Sequence, residues 1–147
     1  MRRNIFVILF LIFLAGAGLF ALMPIEKKIQ VRMLPSNYRR LNRFVVAMSK
    51  VESGNYSSSN YKNLNSIFNI KNANNRNQPG AQLGNSDFRY YSYKMLSLED
   101  LLSWFDYTKF PVRVSDVRQF VQELKARNYF EEPEGFYLEK MNLYVNP

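Results

Sequence analysis

Apolar residues are patterned in three ways along this chain. From Ile5 to Met23, nineteen positions pass without a charge, and Ile, Leu, Phe, Val and Ala dominate them. At about 1.5 Å per residue, a helix of that length just crosses the hydrocarbon core of a bilayer. Beyond Pro35 the run gives way to periodicity. Leu41, Phe44, Val45, Met48 and Val51 recur at three- and four-residue spacing, which predicts an amphipathic helix. Ser36 or Asn37 is placed to cap its start, and Gly54 to end it with a left-handed residue. Residues 55–66 are polar and read as loop. Ile67 to Ile70 is a brief apolar stretch, and 72–87 is a loop or hairpin rich in turn formers. Helical spacing then returns. Ser97-x-x-Asp100 resembles a capping box before Leu98, Leu101, Leu102 and Phe105. Ser115 opens a helix carrying Val117, Phe120, Val121 and Leu124. Pro133 precedes a last one with Phe136, Tyr137, Met141 and Tyr144. No segment repeats. The pattern predicts an α+β domain, predominantly α, over 36–147, with a small β or loop lobe after its first helix. A transmembrane segment (1–23) and a basic tether (24–35) precede it.

Two readings compete for the N-terminus. A signal peptide would use Arg2-Arg3, the apolar run Ile5–Leu14 and cleavage after Ala15-Gly16-Ala17. A signal anchor would keep the segment in the bilayer. The apolar run continues past the small residues through Leu19, Phe20, Ala21 and Leu22, which favours the anchor. Lys27, Lys28 and Arg32 rival Arg2 and Arg3, so the positive-inside rule does not orient it. The function argued below favours a domain outside the cytoplasm.

Composition narrows the chemistry. Among 147 residues there is no cysteine and no histidine. Ser/His/Asp and Cys/His nucleophile systems, Cys/His zinc sites and disulfides are therefore excluded, and no metal or organic cofactor is implied. The formal net charge is +8, which suits an anionic partner. The excess lies in one half: Lys27 to Lys94 holds twelve Lys/Arg against Glu52 and Asp87 alone. These basic residues are scattered and match no nucleic-acid recognition motif, so a tethered nucleic-acid binder is the weakest of the readings considered.

Glu52 stands apart. It follows Val45 by seven residues and Met48 by four, so it falls on the apolar face, at the C-terminal end of its helix. Partial burial and the negative end of the helix dipole both oppose ionisation. A carboxylic acid kept protonated near neutral pH is what a general acid needs to protonate a glycosidic oxygen. The plain alternative is a glutamate fraying outward into solvent.

Glu52-Ser53-Gly54, with Ser58, Asn65, Phe68, Ile70 and Lys71, forms E-S-G-x-x-x-S-(x)6-N-x-x-F-x-I-K. Phe88-Arg89-Tyr90-Tyr91 then Ser97 and Asp100, and later Leu124-Lys125, Tyr129, Pro133, Tyr137 and Lys140, follow in order. The set resembles the glucosaminidase family of peptidoglycan hydrolases, a lysozyme-like group with autolysin, flagellar and phage lytic members. The resemblance spans about residues 40–145. It implies a lysozyme-like helical domain that cleaves β-1,4 bonds of peptidoglycan, by hydrolysis or lytic transglycosylation. Glu52 inherits the general-acid role. Asp87 is the candidate second carboxylate, and Tyr91 the candidate stabiliser of charge at the anomeric centre. Ser53, Asn65, Phe68, Ile70, Lys71 and Tyr90 form the implied substrate-binding set. Tyr56, Tyr61 and Tyr90 are candidates for stacking on sugar rings. The chain departs from the family pattern at Asn55, Ser66, Asn69 and around Glu131, which bears on substrate fit. It also motivates an alternative, a catalytically inactive wall-binding or virion membrane protein.

Overall fold

A computed structural model describes residues 22, 24 and 34–145, apart from 74, 84 and 85. Apart from residue 22, the predicted anchor (5–23) lies outside the described residues, as does most of the tether. Among the described residues, no helix is long and apolar enough to cross a membrane. The elements run in the order α1 (Asn42–Glu52), α2 (Ser59–Asn63), β1 (Ala81–Gln82), β2 (Arg89–Tyr90), α3 (Lys94–Tyr107), α4 (Val117–Ala126) and α5 (Glu134–Val145). The architecture is α+β and mostly α, with a two-stranded antiparallel sheet pairing Ala81 with Tyr90 and Gln82 with Arg89.

The apolar stripe predicted for α1 is the centre of the core. Phe44, Val45, Ala47 and Met48 are buried, and a 3-10 turn at Arg39–Leu41 leads into the helix. Neither Ser36 nor Asn37 caps α1. Tyr38 precedes the turn instead, buried, with its hydroxyl donating to Asp106 Oδ1 (2.6 Å). α1 packs against α5, and α5 against α4. Rings close the core where α1 meets α4: Phe44 stacks on Phe120 at 5.2 Å, and Phe110 on Phe105 at 4.4 Å.

Two helix starts differ from the predicted ones. α3 begins at Lys94, and neither Ser97 nor Asp100 caps it. Ser97 Oγ accepts from the backbone N–H groups of Ile67 (3.1 Å) and Phe68 (3.4 Å), while Asp100 is buried in an ion pair. Both polar side chains are drawn to partners from the lobe. α4 is capped by Asp116, which accepts from Gln119 N–H at 2.9 Å, and Ser115 lies one residue outside. Within 55–66, read as loop, Ser58 caps the five-residue α2.

The lobe between α2 and α3 is held by polar bonds more than by apolar area. The Arg89 guanidinium donates to the carbonyls of Gln78 (2.9 Å), Pro79 (3.2 Å) and Gly80 (3.3 Å). Asp100 accepts from Gln78 Nε2 (2.9 Å) and Tyr91 Oη (2.5 Å) and lies 2.6 Å from Arg76 Nη1. Gly80 has φ +84°, and a Cβ there would sit 2.3 Å from the Tyr90 carbonyl oxygen. Gly80→Ala is therefore expected to cost at least about 1 kcal/mol, read from the urea midpoint; an unchanged midpoint would mean that the hairpin gives way freely.

Candidate active site

Helix α1 ends where the predicted chemistry begins. Gly54 adopts φ +57°, the left-handed residue that the sequence places after Glu52 and Ser53. Ser53 is buried and used locally: its Oγ donates to the Ser49 carbonyl (2.5 Å) and accepts from Tyr56 N–H (2.8 Å). A helix terminus leaves orphan carbonyls. That of Glu52 is met by the Asn69 side-chain amide, which reaches across from the lobe. Asn69 itself has φ +49°, geometry that asparagine tolerates better than most residues. Ser66 Oγ, buried, accepts from Asn69 N–H at 3.1 Å. Ser66 and Asn69 thus work together to form one turn.

The Glu52 side chain is partly buried, and its Oε1 accepts from Tyr137 Oη at 2.6 Å. Burial is the main cause that lifts its pKa from 4.5 to about 7, with the Glu132 charge adding to it. Hydrogen bonds from Tyr137 and Asn69, and the Lys140 charge, pull the other way. The result is a carboxyl group half-protonated near neutrality. Tyr137 is buried on α5, its ring parallel to Phe130 at 4.1 Å, and its own pKa is raised well above the ordinary value by burial and by Glu52. Tyr137→Phe removes a bond that favours ionised Glu52. The alkaline limb of any Glu52-dependent activity is then expected to move to higher pH in a pH–rate profile, and a limb at lower pH would refute this role.

A groove of about 170 Å³ is lined by Asn69, Ile70, Lys71, Trp104, Asn128 and Tyr129, among others. A second hollow of about 280 Å³ shares Lys71, Asn128 and Tyr129 and adds Phe130 and Glu131. Glu52 lines neither. It meets them through Asn69 on one side and through Phe130, stacked on Tyr137, on the other. Trp104 and Tyr129 pack edge to face at 5.0 Å, and Tyr129 Oη donates to the Phe68 carbonyl.

The remaining predicted site residues divide by burial. Tyr91 is fully buried with its hydroxyl on Asp100, which places it in the support of the lobe and not where a sugar would touch it. Burial and the Asp100 charge push its pKa far up. Phe68 is buried beneath the groove, and Ile70 reaches its surface. Asn65, at φ +52°, donates to the Tyr91 carbonyl (2.8 Å) and accepts from Lys94 (3.0 Å), so it fastens the lobe to α3. Lys71 is exposed in the groove, and Tyr90 is half-buried on β2. Asp87 is exposed; its carbonyl accepts from Asn72 N–H (2.8 Å) and its charge raises the Lys71 pKa alongside that of Glu131. Of the tyrosines considered for stacking, Tyr56 and Tyr61 pair with each other at 5.5 Å, with Lys94 over the Tyr61 ring at 4.6 Å. Among the described residues, no group of three or more acidic side chains is placed to hold a metal ion.

The partnership of Glu52 with Tyr137 is the part of the site that sequence reasoning missed. A signal existed. Tyr137 and Met141 share the buried stripe of α5, and a buried tyrosine hydroxyl needs a polar partner. Glu52 is the acid on the facing stripe.

No family model, no curated protein and no solved structure matches this chain. The functional reading rests on the residues and their geometry.

Proposed function

We propose that this protein is a membrane-anchored peptidoglycan hydrolase with a lysozyme-like domain held outside the cytoplasm, and that Glu52 is its general acid. One observation carries the reading: a carboxyl at the end of α1, lifted to about 7 by burial and held by Tyr137, with Asn69 between it and an open groove. Such an acid can protonate the leaving oxygen of a β-1,4 glycosidic bond. Asp87 is exposed and lines neither hollow, so we assign the attacking atom to the sugar's own 2-acetamido group or to a sugar hydroxyl. The groove supports an extended glycan, since it combines the ring faces of Trp104 and Tyr129 with the amides of Asn69 and Asn128. The resemblance of the E-S-G and downstream motifs to the glucosaminidase family supports the same substrate. The basic half of the chain suits the stem-peptide carboxylates of that polymer.

The test is turbidity loss of purified sacculi with the full chain in mild detergent, beside Glu52→Gln, with product masses recorded. Clearing by the wild type alone supports the reading, and the masses distinguish hydrolysis from anhydro-forming transglycosylation. A second reading, a wall-binding or virion membrane protein without activity, is favoured by the ion pair that joins Lys71 to Glu131 at the second hollow. Sacculi that stay intact while both proteins pellet with them would establish it.

A further inference from the structure

One ion pair lies at the second hollow, which adjoins the groove and is lined by both of its residues. Lys71 Nζ meets Glu131 Oε1 at 2.5 Å, and the two side chains are 59% and 87% exposed. The backbone beneath each is fixed. Lys71 pairs with Phe88 in an antiparallel bridge, and its carbonyl accepts from Gln78 Nε2 at 3.0 Å. Opposite, Lys125 Nζ donates to the carbonyls of Phe130 (3.3 Å), Glu131 (2.9 Å) and Glu132 (2.9 Å). The walls are therefore set, and the two charged side chains are the parts free to separate. An exposed ion pair is worth little in water, so another carboxylate can exchange into it.

Lys71 and Glu131 are also the charged residues lining the two hollows, among otherwise neutral amides and rings. A strand lying in the groove would part them, leaving one ammonium group facing the ligand beside the Trp104 and Tyr129 rings. We propose that Lys71 is a recognition residue for a carboxylate carried by a glycan in this groove, and that Glu131 stands in for that carboxylate while the groove is empty. The inference rests on the glycan reading above and deepens it. It assigns the selectivity for anion-bearing over neutral strands to one residue, and it makes Glu131 an internal competitor.

The chain carries a built-in reporter, since Trp104 is its single tryptophan and lines the groove. The full chain in detergent micelles is titrated by tryptophan fluorescence with two probes. One is a soluble disaccharide–tetrapeptide from peptidoglycan, whose peptide carries free carboxylates; the other is uncharged chitotetraose. Wild type, Lys71→Gln and Glu131→Gln are compared. Both substitutions fall on exposed side chains, so folding is not at stake. The wild type is expected to bind the charged probe more tightly than chitotetraose. Glu131→Gln is expected to tighten the charged probe by about two- to fivefold and leave chitotetraose unchanged. Lys71→Gln is expected to reduce the charged probe to the level of the neutral one. A charged probe bound equally well by Lys71→Gln, or more weakly by Glu131→Gln, overturns the inference while leaving sacculus clearing as the measure of the hydrolase reading. Fluorescence that responds to neither glycan overturns the inference, and sacculi left intact as well overturn both.

Discussion

Glu52→Gln is expected to slow the clearing of sacculi by about 10²–10⁴-fold, the usual contribution of a positioned general acid. Glutamine keeps an oxygen that accepts from Tyr137 but has no proton to give, so the substitution isolates chemistry from packing. A stability measurement on the same pair checks the cause. Folded Glu52 titrates near 7, against 4.5 for the unpaired group. Between those values the native state holds a proton that the unfolded chain has released, so the wild type loses stability as pH rises from about 4.5 to about 7. The glutamine variant has no such proton and lacks this slope. Its Tm is expected to exceed that of the wild type at pH 8 by several degrees and to converge with it at pH 4. Activity in the wild type should fall as pH climbs through about 7, where the folded carboxyl loses its proton. Clearing that survives in the variant would remove Glu52 from the mechanism, and parallel Tm profiles would mean that its carboxyl is not held protonated by the fold.

Asp100→Ala is expected to produce the largest loss of stability, about 3–5 kcal/mol, because it leaves a buried guanidinium without its counter-charge. Asp100 is fully buried and Arg76 nearly so, at 3% exposure. The carboxylate serves three partners: Arg76 Nη1 at 2.6 Å, Tyr91 Oη at 2.5 Å and Gln78 Nε2 at 2.9 Å. The Arg76 contact is one of charge at short range, since Oδ1 is not aligned with a hydrogen, and Arg76 Nε and Nη2 have no partner. The arginine thus has little to fall back on. A domain of ordinary stability, about 5–15 kcal/mol, would be left marginal or unfolded. Asp100→Asn keeps an acceptor for Tyr91 and should lie between the two. The urea midpoint decides: an alanine variant within about 1 kcal/mol of wild type would show that the lobe is anchored elsewhere.

These two carboxylates were unequally visible in the sequence. Glu52 could be found because a three- and four-residue period sets it on the face of Val45 and Met48, and helical periodicity is a local property. Gly54 was legible for the same reason, since residue type constrains backbone geometry on the spot. The reading of a mostly helical domain with a small lobe after its first helix follows from such local rules. Asp100 looked like a capping acid because Ser97 stands three residues before it. Its real partners, Arg76, Gln78 and Tyr91, come from a loop and a strand end whose approach no local rule specifies. Ser97 misled in the same way, its hydroxyl being taken by two backbone N–H groups about thirty positions away in the chain. Tyr91 carried a motif but not its orientation, and the structure turns it inward. Burial of a polar group is decided by what arrives from elsewhere in the chain, and single-sequence patterns are silent about arrivals.

The hydrogen bond between Glu52 and Tyr137 joins positions eighty-five residues apart, from the first helix of the domain to the last. Neither end has its working character alone. Before α5 docks, Glu52 sits at an open helix terminus, solvated and ionised like any surface glutamate. The raised pKa therefore depends on a contact of long sequence separation, made only where the two ends of the domain pack together. The same packing that joins the first helix of the domain to the last thus gives Glu52 its hold on a proton.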